Sequence, residues 1–191
     1  RAGHPRERDP FSRRRPLDFM KAHEIFQHIS PALAGEIFTY LQKEERPIYK
    51  TVVQGLAQQR KLRPVFVERK PPNERYAWIQ AALGRRVSDA LAAHLLQTWL
   101  LGACQPLLCN FLDSLGIAHD ANGTVEELPE SPPKEKLHEI ATQLLTKFPA
   151  EKVAVYLHAF HSMDDTTSWP ALGELLAEDD RLKLGDLQVP S

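Results

Sequence analysis

The sequence predicts an all-α protein, an irregular or orthogonal bundle of eight or nine short helices. Apolar residues recur at helical spacing along most of the chain, and prolines and glycines divide this pattern into short segments. The 191 residues are 42% apolar and 26% charged, which is the balance of a globular protein. A chain of this length buries about 70% of the surface that its unfolded form exposes, so the core needs no disulfide or metal.

Capping signals and apolar stripes define the helices of the first half. Ser30 is a favourable N-cap with Pro31 at the first helical position. Pro47 starts a helix with an apolar stripe, and Pro72 opens another that ends before Gly84. Between them, Pro64 and the Pro71-Pro72 pair should leave an irregular connector. The first two predicted helices cover about 21–29 and 31–45.

The second half contains the most apolar predicted helix, over about 87–101. Its apolar residues occupy nearly every side, which is typical of a central, buried helix. His94 falls within this apolar arc, so we expect it to be a core histidine with a hydrogen-bond partner. The other predicted helices of this half cover about 105–115, 134–148, 150–162 and 169–179.

One long connection interrupts the helices, between Gly116 and Pro133. Asn122-Gly123 is a tight-turn signal and predicts a small β-hairpin or a turn-rich loop near 117–126. The segment 118–133 as a whole reads as an acidic, proline-containing surface loop.

The domain organisation follows from composition. We expect residues 1–19 to be a disordered basic tail. The helical pattern beginning at Met20 suggests that this tail is not native, and the alternative is a basic arm that binds nucleic acid. Residues 20–185 should form a single helical domain, and residues 186–191 a loose C-terminal tail.

Charge is divided unevenly along the chain. Residues 1–112 contain 18 Lys/Arg and 10 Asp/Glu, whereas residues 113–191 contain 6 and 15. Mutual attraction of the two halves within one fold would explain this asymmetry, and so would a different partner at each end. We expect the first explanation, because surface charge is usually solvated or balanced locally.

The basic segment 60–86 is the strongest candidate for a binding surface. Phe66, Tyr76 and Trp78 are interleaved with its cations, a mixture that could bind a nucleic-acid backbone. The prolines divide the segment, which argues against a single helix that enters a groove. The candidate nucleic-acid-binding residues are Arg60, Lys61, Arg63, Arg69, Lys70 and Arg75.

A second candidate site is a metal site. His158, His161 and Asp165 follow at i, i+3 and i+7, so on a helix they share one flank and could ligate zinc or iron. The alternative is that Asp165 simply belongs to the turn that ends the helix. Cys104 and Cys109 lie about 140° apart around a helix and are expected to remain reduced and unpaired.

The sequence contains no phosphate-binding loop, GxGxxG, HExxH, GxSxG, EF-hand or CxxC motif. This removes the common motif-bearing enzyme classes. The resulting hypothesis is a non-catalytic protein-interaction module of the cytoplasm, without a cofactor or a membrane span, whose partner is another protein or a second copy. Nucleic-acid binding is the alternative function, and a metal-dependent enzyme is a distant third.

Overall fold

A computed structural model describes residues 20–162 and 169–185 of the chain. These residues form ten α-helices, with single 3₁₀ turns at Arg86–Ser88 and Asp180–Leu182. The helices are α1 (Ala22–His28), α2 (Pro31–Glu44), α3 (Arg46–Gln59), α4 (Pro64–Glu68), α5 (Pro72–Leu83), α6 (Asp89–Ala103), α7 (Gln105–Ser114), α8 (Lys134–Lys147), α9 (Ala150–Ser162) and α10 (Pro170–Glu178).

The all-α prediction is confirmed, because the described residues contain helices and no strand. The helix count was too low by at least one, because the connector expected between Pro64 and Pro71 contains the five-residue helix α4. Pro64 sits at the first helical position, where its fixed φ favours a helix start and its missing N–H costs nothing.

Of the two structures predicted near 117–126, the turn-rich loop is the correct one and the β-hairpin is not formed. The Asp120 carboxylate accepts hydrogen bonds from the backbone N–H groups of Asn122 and Thr124, both at 2.9 Å. Gly123 follows with φ of +80°, a left-handed conformation that suits glycine. The aspartate side chain therefore satisfies the turn locally, and no partner strand is needed.

A capping interaction ties the start of α2 to α9. The Ser30 hydroxyl accepts a hydrogen bond from the Leu33 N–H at 3.1 Å and donates one to the Glu151 carboxylate at 2.7 Å. The Ser30 N–H donates to the same carboxylate oxygen at 3.1 Å. Both the predicted N-cap and a link between the two halves of the chain depend on this serine.

The core is one contiguous cluster of buried apolar side chains with α6 near its centre. Helix α6 packs against α1, α2, α3, α5 and α7, while α8, α9 and α10 pack against one another in the second half. The largest completely buried side chains include Trp99 of α6 together with Phe26, Phe38 and Phe111. The apolar composition of α6 therefore has the predicted consequence of a central position.

His94 is exposed, so its prediction as a core residue was wrong. Helix α6 buries the stripe that includes Leu95 and Trp99. His94 precedes Leu95 by one residue, which is about 100° of rotation around the axis and takes it away from that stripe. Val87, which the sequence grouped with the same helix, precedes α6 in the 3₁₀ turn and is 60% exposed.

No single described helix has both the length and the apolar character that a membrane span requires. Two consecutive helical segments, Arg86–Ala103 and Gln105–Ser114, together have the length and apolar composition of a span, but they are bent by 82° at their junction.

Candidate functional site: a basic, apolar surface and a lined cavity

The basic segment begins at a strained helix end. Helix α3 closes with two backbone hydrogen bonds, from Leu62 N–H to Ala57 O at 2.9 Å and from Lys61 N–H to Gln58 O at 3.0 Å. This is the Schellman arrangement, which places one residue in the left-handed region, usually a glycine. Here that residue is Lys61, with φ of +55°, the only described residue other than glycine with positive φ. The chain therefore keeps a cation where glycine would be less strained.

Helix α4 presents apolar side chains to solvent. Val67 is completely buried where α4 packs against α3 and α5, but Phe66 is 56% exposed and Val65 is 38% exposed. Leu62 and Val87 complete the exposed large apolar residues of the described part of the chain. All four lie between residues 62 and 87, and nothing in the spacing of apolar residues distinguishes them from core residues.

Val87 is held beside the end of α3. The Gln59 side chain donates to Val87 O at 3.3 Å and accepts from the Ser88 hydroxyl at 2.8 Å. The 3₁₀ turn that carries Arg86 and Val87 therefore lies next to the residue that precedes Arg60. The fold thereby places residues 87 and 88 beside the C-terminal end of α3.

Five of the six predicted nucleic-acid-binding cations belong to this region, and the sixth does not. Arg60, Lys61, Arg63 and Arg69 are exposed and Lys70 is partly exposed. The sixth, Arg75, is treated separately below. We define the basic–apolar surface as Arg60, Lys61, Leu62, Arg63, Val65, Phe66, Arg69, Lys70, Arg85, Arg86 and Val87.

Arg75 is turned toward the protein. Its guanidinium donates to Glu68 O at 3.3 Å, and its Cζ lies 5.4 Å from the centroid of the Tyr76 ring. Burial raises the pKa of Tyr49, and the nearby positive charge of Arg75 opposes that shift. Arg75 is therefore half-buried and its contacts stabilise the fold, while its assignment as a nucleic-acid-binding residue stays a prediction.

The cations of the surface are not neutralised within the fold. Among the described residues, none of the ion pairs involves a cation between 60 and 86. Acidic residues of the second half are paired with a cation of the same half, because Lys134 of α8 forms ion pairs with Glu174 and Glu178 of α10. Direct pairing of the basic segment with the acidic half, our first explanation of the charge asymmetry, is not seen in the part of the chain that the structure describes.

The second half of the fold contains a cavity of about 520 Å³. Aliphatic side chains of α6, α7 and α10 line it together with the loop 123–128. Its aromatic wall comprises Tyr156 and Phe160 of α9 and Trp169, with the Phe160 and Trp169 ring centroids 5.1 Å apart. The polar lining residues include Gln97, Glu126, Glu127 and His161.

The predicted metal site is only partly described. His158 and His161 are buried on α9, and His158 Nε2 donates to Leu182 O at 2.9 Å, so this nitrogen serves the backbone. Burial lowers the pKa of both imidazoles. Asp165 lies outside the described residues, and within the described ranges no group of three ligating side chains could hold a metal ion. The three-residue metal site stays a prediction.

The cysteines and the loop histidine have structural surroundings. Cys104 and Cys109 are free, as predicted, and burial raises the pKa of the Cys104 thiol to about 11, so it is a protonated core residue. His119 bridges the Asp113 carboxylate and Asp120 O, each at 2.6 Å. These contacts hold the start of the loop against α7.

Comparison of the chain with protein-family models gives no match. Comparisons with curated proteins and with solved structures give no match either.

Proposed function

We propose that the protein is a non-catalytic protein-interaction module whose basic–apolar surface binds an acidic segment of another protein. One observation carries the proposal. All the large apolar side chains that the described residues expose lie in this surface, among cations that form no ion pair there. Exposed apolar residues surrounded by charge are the composition of a binding surface rather than of an ordinary solvated face.

The chemistry of the surface defines the partner. Phe66 is an aromatic anchor of the kind that contributes most of the energy of an interface, and Leu62, Val65 and Val87 extend the apolar area. The surrounding cations favour carboxylates at the rim of the contact and accelerate association. The partner is therefore a segment that carries acidic residues around one or more large apolar side chains.

Lys61 supports the same proposal. A non-glycine residue in the left-handed region costs about 1–2 kcal/mol, and such strain is found preferentially where function requires the side chain. A lysine at this helix end contributes positive charge to the surface at the expense of stability.

A binding experiment with three probes tests the proposal. The probes are an amphipathic acidic peptide containing Glu, Leu and Phe, a Glu-rich peptide of equal charge without apolar residues, and a single-stranded DNA oligonucleotide. We expect the amphipathic peptide to bind tightest, because only this probe fills the apolar part of the surface. Preference for the DNA, with affinity that falls steeply with salt, would instead support the nucleic-acid alternative.

Matched variants locate the contact. Phe66→Ser should weaken binding of the amphipathic peptide by about 30-fold, the effect of losing one anchor of about 2 kcal/mol. The double variant Arg63→Glu/Arg69→Glu should weaken all acidic probes. The control Lys43→Glu/Lys147→Glu makes the same charge change at exposed lysines elsewhere and should change affinity little. Equal losses for the control and the surface variant would refute the proposal.

A further inference from the structure

The cavity of the second half has a defined wall, because the loop 123–128 that lines one side of it is held in place at both ends. At one end, a Cβ on Gly123 would lie 2.7 Å from Leu108 Cβ, so glycine is required for this close approach. At the other end, the Trp169 indole N–H donates to Pro129 O at 3.0 Å. Val125 and Leu128 are thereby held in the wall of the cavity.

The volume and lining suit a small organic molecule. A volume of about 520 Å³ falls within the range of ligand pockets, which are mainly apolar with a few polar groups. The aromatic wall is itself ordered: the Tyr156 and Phe160 rings are 6.1 Å apart in an edge-to-face arrangement, and Phe160 contacts Trp169. An apolar body of the ligand would pack against these rings.

The wall also contains a hydroxyl group that is available for hydrogen bonding, that of Tyr156. Tyr156 is only 4% exposed, and no described residue donates to or accepts from its hydroxyl. The hydroxyl oxygen is not among the fully buried side-chain atoms that have no partner, so it can be reached by solvent or a ligand. A ligand with a hydrogen-bond donor would provide that partner.

The charged residues that line the cavity determine which ligand charge is favoured. Glu126 and Glu127 are exposed carboxylates among the lining residues, and no Lys or Arg belongs to the described lining. Burial lowers the pKa of His161, so this ring is neutral near pH 7 and adds no positive charge. Carboxylates together with the faces of aromatic rings attract cations, and they repel acids.

From these observations we infer that the cavity binds an organic ammonium ion with an aromatic or branched aliphatic body. The body packs against Tyr156, Phe160 and Trp169, and the ammonium group lies toward Glu126 and Glu127. This site is distinct from the basic–apolar surface, which comprises residues of 60–70 and 85–87 and has the opposite charge.

Calorimetric titration with three ligands of the same shape tests the inference. The ligands are 1-naphthylmethylammonium, 1-naphthalenemethanol and 1-naphthoate, which share one ring system and differ in the charge of the head group. We expect one ligand per chain, with the ammonium ion bound at least tenfold more tightly than the carboxylate and the alcohol between them. Absence of binding by all three, or equal or tighter binding of 1-naphthoate, would overturn the inference.

Variants at Glu126 and Glu127 test whether the carboxylates of the cavity lining contribute to ammonium binding. Glu126→Gln/Glu127→Gln should weaken ammonium binding about fivefold to tenfold, the combined effect of two exposed ion pairs, and leave the affinity for the alcohol within about twofold. The control Glu135→Gln/Glu139→Gln removes the same charge from exposed positions of α8. If this control weakens ammonium binding equally, the effect is one of net charge and the proposed contact is wrong.

Two further variants test the wall without disturbing the core helices. Leu128→Trp, in the loop, should fill the cavity and weaken both the ammonium ion and the alcohol by more than tenfold. Tyr156→Phe should weaken ammonium binding about twofold to tenfold, which corresponds to one hydrogen bond, without lowering the melting temperature. Unchanged affinity in folded Leu128→Trp would show that the ligand binds elsewhere.

Discussion

Replacing Lys61 with glycine should stabilise the protein, although it removes a charged side chain from an exposed position. Lys61 has φ of +55° at the end of α3, where the Schellman hydrogen bonds require a left-handed residue. This conformation costs about 1–2 kcal/mol for a residue with a Cβ. Glycine avoids that cost but loses about 0.4–1 kcal/mol through the greater freedom of its unfolded chain. The expected net gain is about 0.5–1 kcal/mol in the free energy of unfolding.

Urea denaturation followed by circular dichroism measures this gain, and Lys61→Ala is the matched control. Alanine removes the same charge and keeps the strain, because it also has a Cβ. Lys61→Ala should therefore leave stability nearly unchanged, and only Lys61→Gly should raise the denaturation midpoint without changing the slope. A Lys61→Gly protein that is no more stable than Lys61→Ala would refute the assignment of strain to this residue.

The same two variants separate stability from function. Both remove one positive charge from the basic–apolar surface, so both should weaken binding of an acidic peptide to a similar extent. A variant that is more stable and binds less well is the expected result if the lysine is retained for binding. Unchanged affinity in both variants would remove Lys61 from the proposed contact.

Other substitutions test the packing around both regions. Arg75→Ala should lower the free energy of unfolding by about 1–2 kcal/mol in urea titrations, because its hydrogen bond and ring contact are lost, and Arg75→Lys should restore little of it. Val67→Ala should cost about 2 kcal/mol in the same assay, since it removes two buried carbons and leaves a cavity. Burial lowers the pKa of His158, so the unfolded chain binds a proton that the folded chain does not, and stability should be complete above pH of about 6.5 and decline as pH falls. His158→Gln keeps an N–H donor for Leu182 O and should show a smaller decline between about pH 7 and pH 5 when unfolding is measured across pH, with His161 supplying the remainder.

The helices were predictable because their signals are local. Ser30 before Pro31, and the apolar stripes of α3 and α8, depend on spacing within one segment, and the structure has these helices where the pattern put them. Helix α4 was missed because a five-residue helix is too short to show a period. Its buried face also consists of one residue, Val67.

The environment of individual side chains was less predictable. Arg63 and Arg75 are chemically identical in the sequence, yet one faces solvent and the other contacts Tyr76 and Glu68 O. His94 lay in an apolar arc but is exposed, since the neighbouring helices cover the stripe of Leu95 and Trp99 and not the face that carries His94. In each case the deciding factor is which face a neighbouring helix covers, and that neighbour is distant in the sequence.

The sequence by itself determined the all-α class, the main helix boundaries, the turn at Asn122-Gly123 and the separation of basic from acidic residues. Each of these depends on residue type and short-range spacing. Only the tertiary structure placed Val87 beside the end of α3, left Phe66 and Val87 exposed, and enclosed the cavity beside Trp169. The reason is physical: burial and convergence are set by long-range packing, and the local pattern of a helix is compatible with several faces being covered.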